Sequence, residues 1–208
     1  MSQMVIAAVG RMRAGKGTLY AAIRNIANKH GWYPSIGKIS FSTCLRAVLD
    51  YFEILPSVEN HQDLANFLNS KKQGAVAIGT RKRIQESRYE VPFVDGVRWP
   101  WDVPMLREFP NVVLVGLVVD QNDKENDRKI RHQRCVLANE RPGDATITYE
   151  DFVKRDSGPT EQYIDDIIAQ ADCILENNGT TEEFEKQVEQ KLYLPLIKPV
   201  HTKKELPS

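Results

Sequence analysis

The sequence has no surplus of either charge. Its 208 residues carry 28 Lys plus Arg against 28 Asp plus Glu. That balance argues against a general binder of nucleic acid or anionic membrane, so any polyanion site must be a local concentration of Arg and Lys. Long hydrophobic runs are also missing. No apolar stretch approaches the roughly 20 residues of a membrane helix. The chain reaches Gly10 without a long apolar signal region, and residues 5–9 are better used as a strand. Cysteine is scarce. Cys44, Cys135 and Cys173 are odd in number and far apart, and they match neither zinc spacing nor a disulfide framework. They read as small apolar fillers in a reduced, cytoplasmic compartment. His30, His61, His132 and His201 form no metal-ligand spacing.

What remains is enough for one globular domain, with 41% apolar and 27% charged residues over a length that supports a sizeable core. Short apolar runs alternate with longer amphipathic ones. Residues 4–9 form the first strand, and residues 16–29 a helix with Leu19, Ala22, Ile23 and Ile26 on one face, stopped by Gly31. A weak strand at about 35–40 precedes helices at 42–52, 62–68 and 75–86. The run "VPFVDGVR" is a buried strand that should begin at or just after Pro92, since proline is awkward in a central strand. Residues 111–120 are the clearest strand, apolar enough for a sheet covered on both faces. Helices at about 123–137, 149–155 and 160–170, a strand at 173–176 and a helix at 181–192 follow. Residues 195–208, with three prolines and no apolar periodicity, read as an extended tail. This alternation predicts an α/β fold, a parallel sheet with helices on both faces, with ligands beyond the carboxyl ends of the strands. Residues 10–18, 95–98 and Asp120 gather there.

The stretch "AVGRMRAGKGTLYAAI" decides the chemistry. Gly10 and Gly15 frame four residues, and Lys16, Gly17 and Thr18 follow, after an apolar strand and at the start of a helix. That context makes a phosphate-binding loop of Gly10, Arg13, Ala14, Gly15, Lys16, Gly17, Thr18 and Leu19. Glycines let backbone N–H groups turn inward on a phosphate, and the helix N-terminus adds partial positive charge. Lys16 reaches the β and γ oxygens of ATP. A hydroxyl after it, that of Thr18 or a rearranged partner, helps hold Mg²⁺.

"GKGT" resembles the nucleoside monophosphate kinases, adenylate kinase above all, and the wider group that includes dephospho-CoA kinase. Met12 and Arg13 stand where that family usually has Pro and Gly. Arg13 therefore either accepts backbone strain or sits in a shifted loop, and either adds a cation at the phosphates or points to solvent. The segment "ISFSTCLRAVL" is similar to the family's acceptor-binding segment. The resemblance places Arg46 on an acceptor phosphate, although Thr43 replaces a common Asp. "FVDGVR" is similar to the family's strand-end "DG-x-x-R". It is closer still to the "DGIR" of archaeal P-loop kinase-like proteins of uncharacterised function. The resemblance implies that Asp95 holds Mg²⁺ through water and that Arg98 clamps the acceptor phosphate. In "DRKIRHQR" and "ANERPGD" it implies a closing lid, with Arg131 and Arg134 on the transferred phosphoryl and Arg141 in the lid loop. Arg155 either joins them or pairs with Asp156 or Asp151. The turn at 177–179 would lie against adenine, and Gln62 is a conceivable base reader. Trp32 reads as packing; Trp99 and Trp101 either pack or wall the acceptor site.

The resemblance as a whole implies one three-layer P-loop NTPase domain over residues 1–194, with a five-stranded parallel sheet in the order 2-3-1-4-5. It carries an acceptor-binding insert at about 42–87 and a lid at about 122–157. The expected activity moves the ATP γ-phosphoryl to a nucleoside or deoxynucleoside monophosphate or similar small acceptor. Two alternatives are a dephospho-CoA kinase, weakened by Ser40, Ser42 and Thr43 where a carboxylate base is needed, and an ATP-binding regulator that hydrolyses slowly. The expected partner is a small phosphate acceptor, not nucleic acid or membrane, in a monomer or homodimer.

Overall fold

The structure, a computed structural model, describes residues 3–140 and 142–202. β1 (Met4–Gly10) is buried at every position, as an apolar run must be when helices cover both faces of its sheet. It pairs in parallel with β3 (Val91–Asp95) on one side and β4 (Asn111–Val118) on the other. β2 (Ile36–Ser40) flanks β3 and β5 (Cys173–Glu176) flanks β4. The order β2-β3-β1-β4-β5 is the expected one.

Parallel neighbours need crossover connections. α1 (Lys16–Lys29) joins β1 to β2, and α2 (Phe41–Tyr51), α3 (Val58–Lys71) and α4 (Ala75–Glu86) lie between β2 and β3. α5 (Asp102–Arg107) precedes β4. α6 (Lys124–Ala138), a 3₁₀ turn at Asp144–Thr146, α7 (Tyr149–Asp156) and α8 (Ile164–Ile168) lead to β5. The chain then runs through α9 (Thr181–Gln187), a π-helical segment (Val188–Ile197) and α10 (Lys198–Thr202). Among the described residues, no helix is long and apolar enough to cross a membrane.

Side chains alternate across β1 and so supply two cores. Met4, Ile6 and Ala8 meet Leu19 and Ile23 of α1, with Phe184, Leu192, Tyr193 and Ile197 from the C-terminal helices. Val5, Ala7 and Val9 meet Leu45, Ile84, Leu106 and Ile164 on the opposite face.

Several boundaries differ from expectation for local reasons. α3 starts earlier than 62 because the Ser57 hydroxyl caps it, accepting from the Asn60 amide at 3.1 Å. The helix expected at 160–170 contracts to α8, since residues 158–164 form tighter turns in which Glu161 bonds back to Gly158 and Ile164 to Glu161. Pro92 lies inside β3, opposite Gly37 of β2. The Val91 amide donates to Ser35 on the β2 side, so the proline nitrogen faces β1, whose ladder with β3 begins only at Phe93.

The tail is the main correction. Residues 195–202 are helical, not extended. Ile197 is fully buried, Leu196 and Val200 pack on the same core, and His201 stacks on Trp32 at 4.3 Å between ring centroids. Leu192, Tyr193, Leu196, Ile197 and Val200 recur at helical spacing. Pro195, read as a breaker, sits in the wide π-helical turn. Residues 203–208 lie outside the described residues. An Ile197→Ala variant should lose about 2–5 kcal/mol, seen as a lower urea midpoint at unchanged m-value; an extended tail would give no change.

Candidate functional site at the β1–α1 loop

β1 ends at Gly10, where a Cβ would come within 2.9 Å of the Leu117 carbonyl oxygen. The loop turns back through two left-handed residues, Arg13 (φ 65°) and Gly15 (φ 107°). A Cβ at Gly15 would collide with the Asn177 amide. That amide explains the tight fit: its Nδ2 donates to the Ala14 carbonyl at 3.0 Å, fixing the turn from the end of β5. On the other flank, Arg131 Nη1 donates to the Met12 carbonyl at 3.2 Å. Lys16 Nζ folds back to donate to the carbonyls of Gly10 (2.8 Å) and Arg11 (3.1 Å).

α1 therefore begins under a glycine cap with no side-chain hydrogen bond and no acidic residue in its first turn. Its leading N–H groups and positive dipole end are left for an anion. Gly17 is exposed and Thr18 half-buried on this turn. Leu19 is corrected: its amide bonds to Gly15 within the helix at 2.9 Å and its side chain is in the core, so it has nothing to offer a phosphate. The Ala14 amide likewise closes the turn onto Arg11. Arg13 takes the strained-backbone option, but its side chain takes neither of the two expected for it. It accepts the left-handed backbone and ion-pairs with Glu140 (2.7 Å) and Asp144 (2.9 Å).

The arginines expected in a lid face inward. Arg131 is 1% exposed. Its Nε donates to Asp127 at 2.6 Å and its Nη atoms fork onto Asp156 at 2.5 and 2.8 Å. Its role here is to position the loop, a correction to the expected contact with a phosphoryl group. Burial pushes the Asp156 carboxyl up, but Arg131, Arg11 and Arg128 outweigh it and hold it below the ordinary carboxylate range. Arg134 Nη2 donates to the Asn177 carbonyl at 2.7 Å, and burial lowers the guanidinium's pKa. Arg155 joins Arg13 on Asp144 at 3.0 Å instead of pairing with Asp156 or Asp151. Arg141 lies outside the described residues.

At the end of β3, Asp95 stands in register with Ala8 of β1 and Ser40 of β2. Its Oδ1 is buried with no hydrogen-bond partner among the described residues. Arg98 is ion-paired with Glu161. Asp102 is fully buried and accepts the Arg98 and Trp99 amides at 2.9 Å each; burial pushes its carboxyl up to about 7. Ser40 and Thr43 cap α2 reciprocally, so Thr43 is occupied where the resemblance has an Asp. Arg46 is exposed on α2, with Asp50 at 3.8 Å. Trp99 and Trp101 stack at 5.1 Å, and Gln62 Nε2 donates to Thr160 at 3.4 Å. A cavity of about 350 Å³ beside the 177–179 turn is lined by Glu176, Asn178, Gly179 and Gln187. Loop, strand end and turn thus come together; no contact joins exposed Arg46 to them among the described residues. Asp102 and Glu161 were missed in the sequence, and Asp156 was matched to Arg155 instead of Arg131, since nothing local marks a carboxylate as buried.

No family model matches the chain. Over 140 residues it is 31% identical to a UPF0200 protein of Hyperthermus butylicus, an alignment covering 67% of this chain and 70% of that one. The chain belongs to the UPF0200 family. A UPF0200 protein of Sulfurisphaera tokodaii is 29% identical over 189 residues, covering 90% and 95% of the two chains. Among solved structures, shikimate kinase from Acinetobacter baumannii in complex with shikimate matches with a TM-score of 0.52 at 12% identity, covering 99% and 96%. Shikimate kinase from Bacteroides thetaiotaomicron gives 0.50 at 14%, covering 98% and 99%. At such identities the likeness is one of fold: this UPF0200 chain has the three-layer P-loop kinase architecture.

Magnesium suits the donors present. No group of three or more His, Cys, Asp or Glu gathers as a metal cluster among the described residues. A hydroxyl at Thr18 and the orphaned oxygen of Asp95 match an ion that takes one or two protein oxygens alongside substrate phosphates.

Two outcomes follow for this UPF0200 chain. Asp156→Ala leaves buried Arg131 with Asp127 as its one carboxylate and should cost about 3–5 kcal/mol in chemical denaturation. Asp102 keeps its proton to about pH 7 when folded but only to about pH 3.9 when unfolded. The folded state binds the extra proton between these values, so stability falls as pH rises through that window. Asp102→Asn preserves the acceptor for both amides and should flatten the decline between pH 5 and 8 by a few kcal/mol, read from urea midpoints.

Proposed function

We propose that this chain is an ATP-dependent phosphotransferase acting on a small acceptor. The observation that carries the reading is the glycine-turned loop, held by Asn177 and Arg131, that presents the uncapped start of α1 beside Lys16. Such a site recognises phosphate by backbone amides and one mobile cation. The acceptor oxygen bonds the γ-phosphorus as the β,γ-bridging P–O bond breaks, and ADP leaves with the electron pair. A hydroxyl acceptor also releases its proton to water or a carboxylate. The chain's work is positioning and charge neutralisation. Gly10, Gly15, Gly17 and Thr18 shape the cradle, and Lys16 and Arg134 supply positive charge. Mg²⁺, which Thr18 and Asp95 would hold, supplies neutralisation of the phosphate oxygens when bound. The cavity beside Asn178 and Gly179 suits a nucleobase. α2–α4 would form the acceptor insert and α6–α7 the lid.

The resemblance favours a nucleoside or deoxynucleoside monophosphate as acceptor, through exposed Arg46. A slow ATPase or regulator is favoured by the buried clamp that packs α6 and α7 against the loop. Acceptor-dependent ADP release separates transfer from regulation. Lys16→Ala should weaken Mg·ATP binding at least about tenfold by calorimetry while leaving the far-UV circular dichroism unchanged. Undiminished affinity in the variant, or no heat from the folded parent, would overturn the reading.

A further inference from the structure

The turn after β5 is pinned at both ends. At its start, the Asn177 amide donates to the Val118 carbonyl at 2.8 Å, and the Asn177 side chain donates to the Ala14 carbonyl at 3.0 Å. At its close, the Thr180 amide donates to Glu183 at 2.8 Å in the reciprocal cap that opens α9. Asn178 and Gly179 span the gap. Both are exposed. Neither the Asn178 side chain nor the Gly179 amide has a hydrogen-bond partner among the described residues.

Asn178–Gly179 is the one Asn-Gly step in the 208 residues. That dipeptide carries a reaction of its own. A residue with no Cβ lets its peptide nitrogen approach the preceding side chain. The Gly179 nitrogen bonds to Cγ of Asn178 as the Cγ–Nδ2 bond breaks. Ammonia leaves with the Gly179 amide proton, relayed by water, and a five-membered imide remains. Water then opens the ring, and the ring nitrogen recovers a proton. Opening at Cγ yields aspartate. Opening at the main-chain carbonyl yields isoaspartate, with an extra carbon in the backbone. In sum, an amide and a water become a carboxylic acid and ammonia, and solvent is the only co-reactant.

The adjacent asparagine is protected by the same local geometry. Asn177 is buried, its Nδ2 is held by Ala14, and the residue after it bears a side chain. Every other asparagine is likewise followed by a residue with a Cβ.

Position 178 also has a place where charge matters. It lines the cavity of about 350 Å³ in which Glu176 and Glu183 already outnumber Lys186. A carboxylate at 178 adds a further negative charge on a wall that a nucleotide, itself an anion, would approach. It stands next to Asn177, whose carbonyl receives Arg134 and whose side chain fixes the phosphate loop. The isoaspartate form would also lengthen the turn beside that anchor.

We propose that Asn178 is a site of spontaneous deamidation, and that its conversion lowers the affinity of the chain for nucleotide, so that binding declines with the age of the molecule. The loss of affinity rests on the phosphotransferase reading. The reaction at Asn178 does not.

The test ages the full chain at mildly alkaline pH beside a guanidinium-unfolded sample. Peptide mass mapping with fragmentation places each amide-to-acid conversion. Asn178 should convert first, with isoaspartate among the products, while Asn177 stays an amide. Its rate in the folded chain should lie within about tenfold of the unfolded one. Mg·ATP affinity should fall at least about threefold as conversion completes. Asn178→Gln, whose ring closure is slower, should hold the affinity of its own fresh sample over the same period. Conversion of another asparagine ahead of Asn178, or a folded rate slower than that limit, would overturn the site. Undiminished affinity in fully converted protein would overturn its consequence. A fresh chain that binds no Mg·ATP would sink the phosphotransferase reading and the loss of affinity with it, while the mass map still decides the modification.

Discussion

A guanidinium in the interior ties the phosphate loop to the rest of the fold. Arg131 is the bulkiest fully buried side chain described. It grips Asp127 on its own helix, Asp156 at the end of α7 and the Met12 carbonyl in the loop. Asp127 in turn accepts the Val119 amide where β4 ends. One network therefore fixes a strand end, two helices and the loop. Replacing a buried ion cluster with apolar packing is often neutral for stability. What apolar packing cannot do is hold a carbonyl in a chosen direction, and the Met12 carbonyl must be turned outward for neighbouring amides to face a phosphate.

The even charge of the whole chain recurs on a small scale. Arg11, Arg13, Arg131 and Arg155 each end on an aspartate. The cations nearest the loop thus hold it in shape, and under the proposed function recognition of a nucleotide falls to amides, the helix dipole, Lys16 and Arg134. Positive φ at Arg13 belongs to the same arrangement. The strain of a left-handed non-glycine residue is sustained because Glu140 and Asp144 hold the far end of its side chain.

β1, α1 and β5 could be read in the sequence because each announces itself locally, by continuous apolar character, helical spacing or a Gly-rich turn, whereas the sheet order came from the family resemblance. The glycine-bent turn between β1 and α1 was legible for the same reason. The partners of its arginines were not. Asp156 lies 25 residues from Arg131 in sequence, and Asp144 lies 131 from Arg13. A single sequence displays a cation but not the carboxylate that folding delivers to it, so Arg98 and Arg131 read as ligands for phosphate. Burial of Asp102 was equally invisible, because it follows the mixed stretch "RWPW". The C-terminal helix was misread because proline outweighed an apolar spacing that the π-helical turn accommodates.

The two faces of the sheet finish at different points along the chain. One apolar set draws on nothing beyond Ala171, whereas the other needs Ile197 and Val200 to cover α1. On a ribosome, the first face can consolidate while synthesis continues. The helix that carries Lys16 stays uncovered until residues 184–200 have folded onto it. A chain cut before Phe184 would keep its glycine-rich loop but lack the wall behind it.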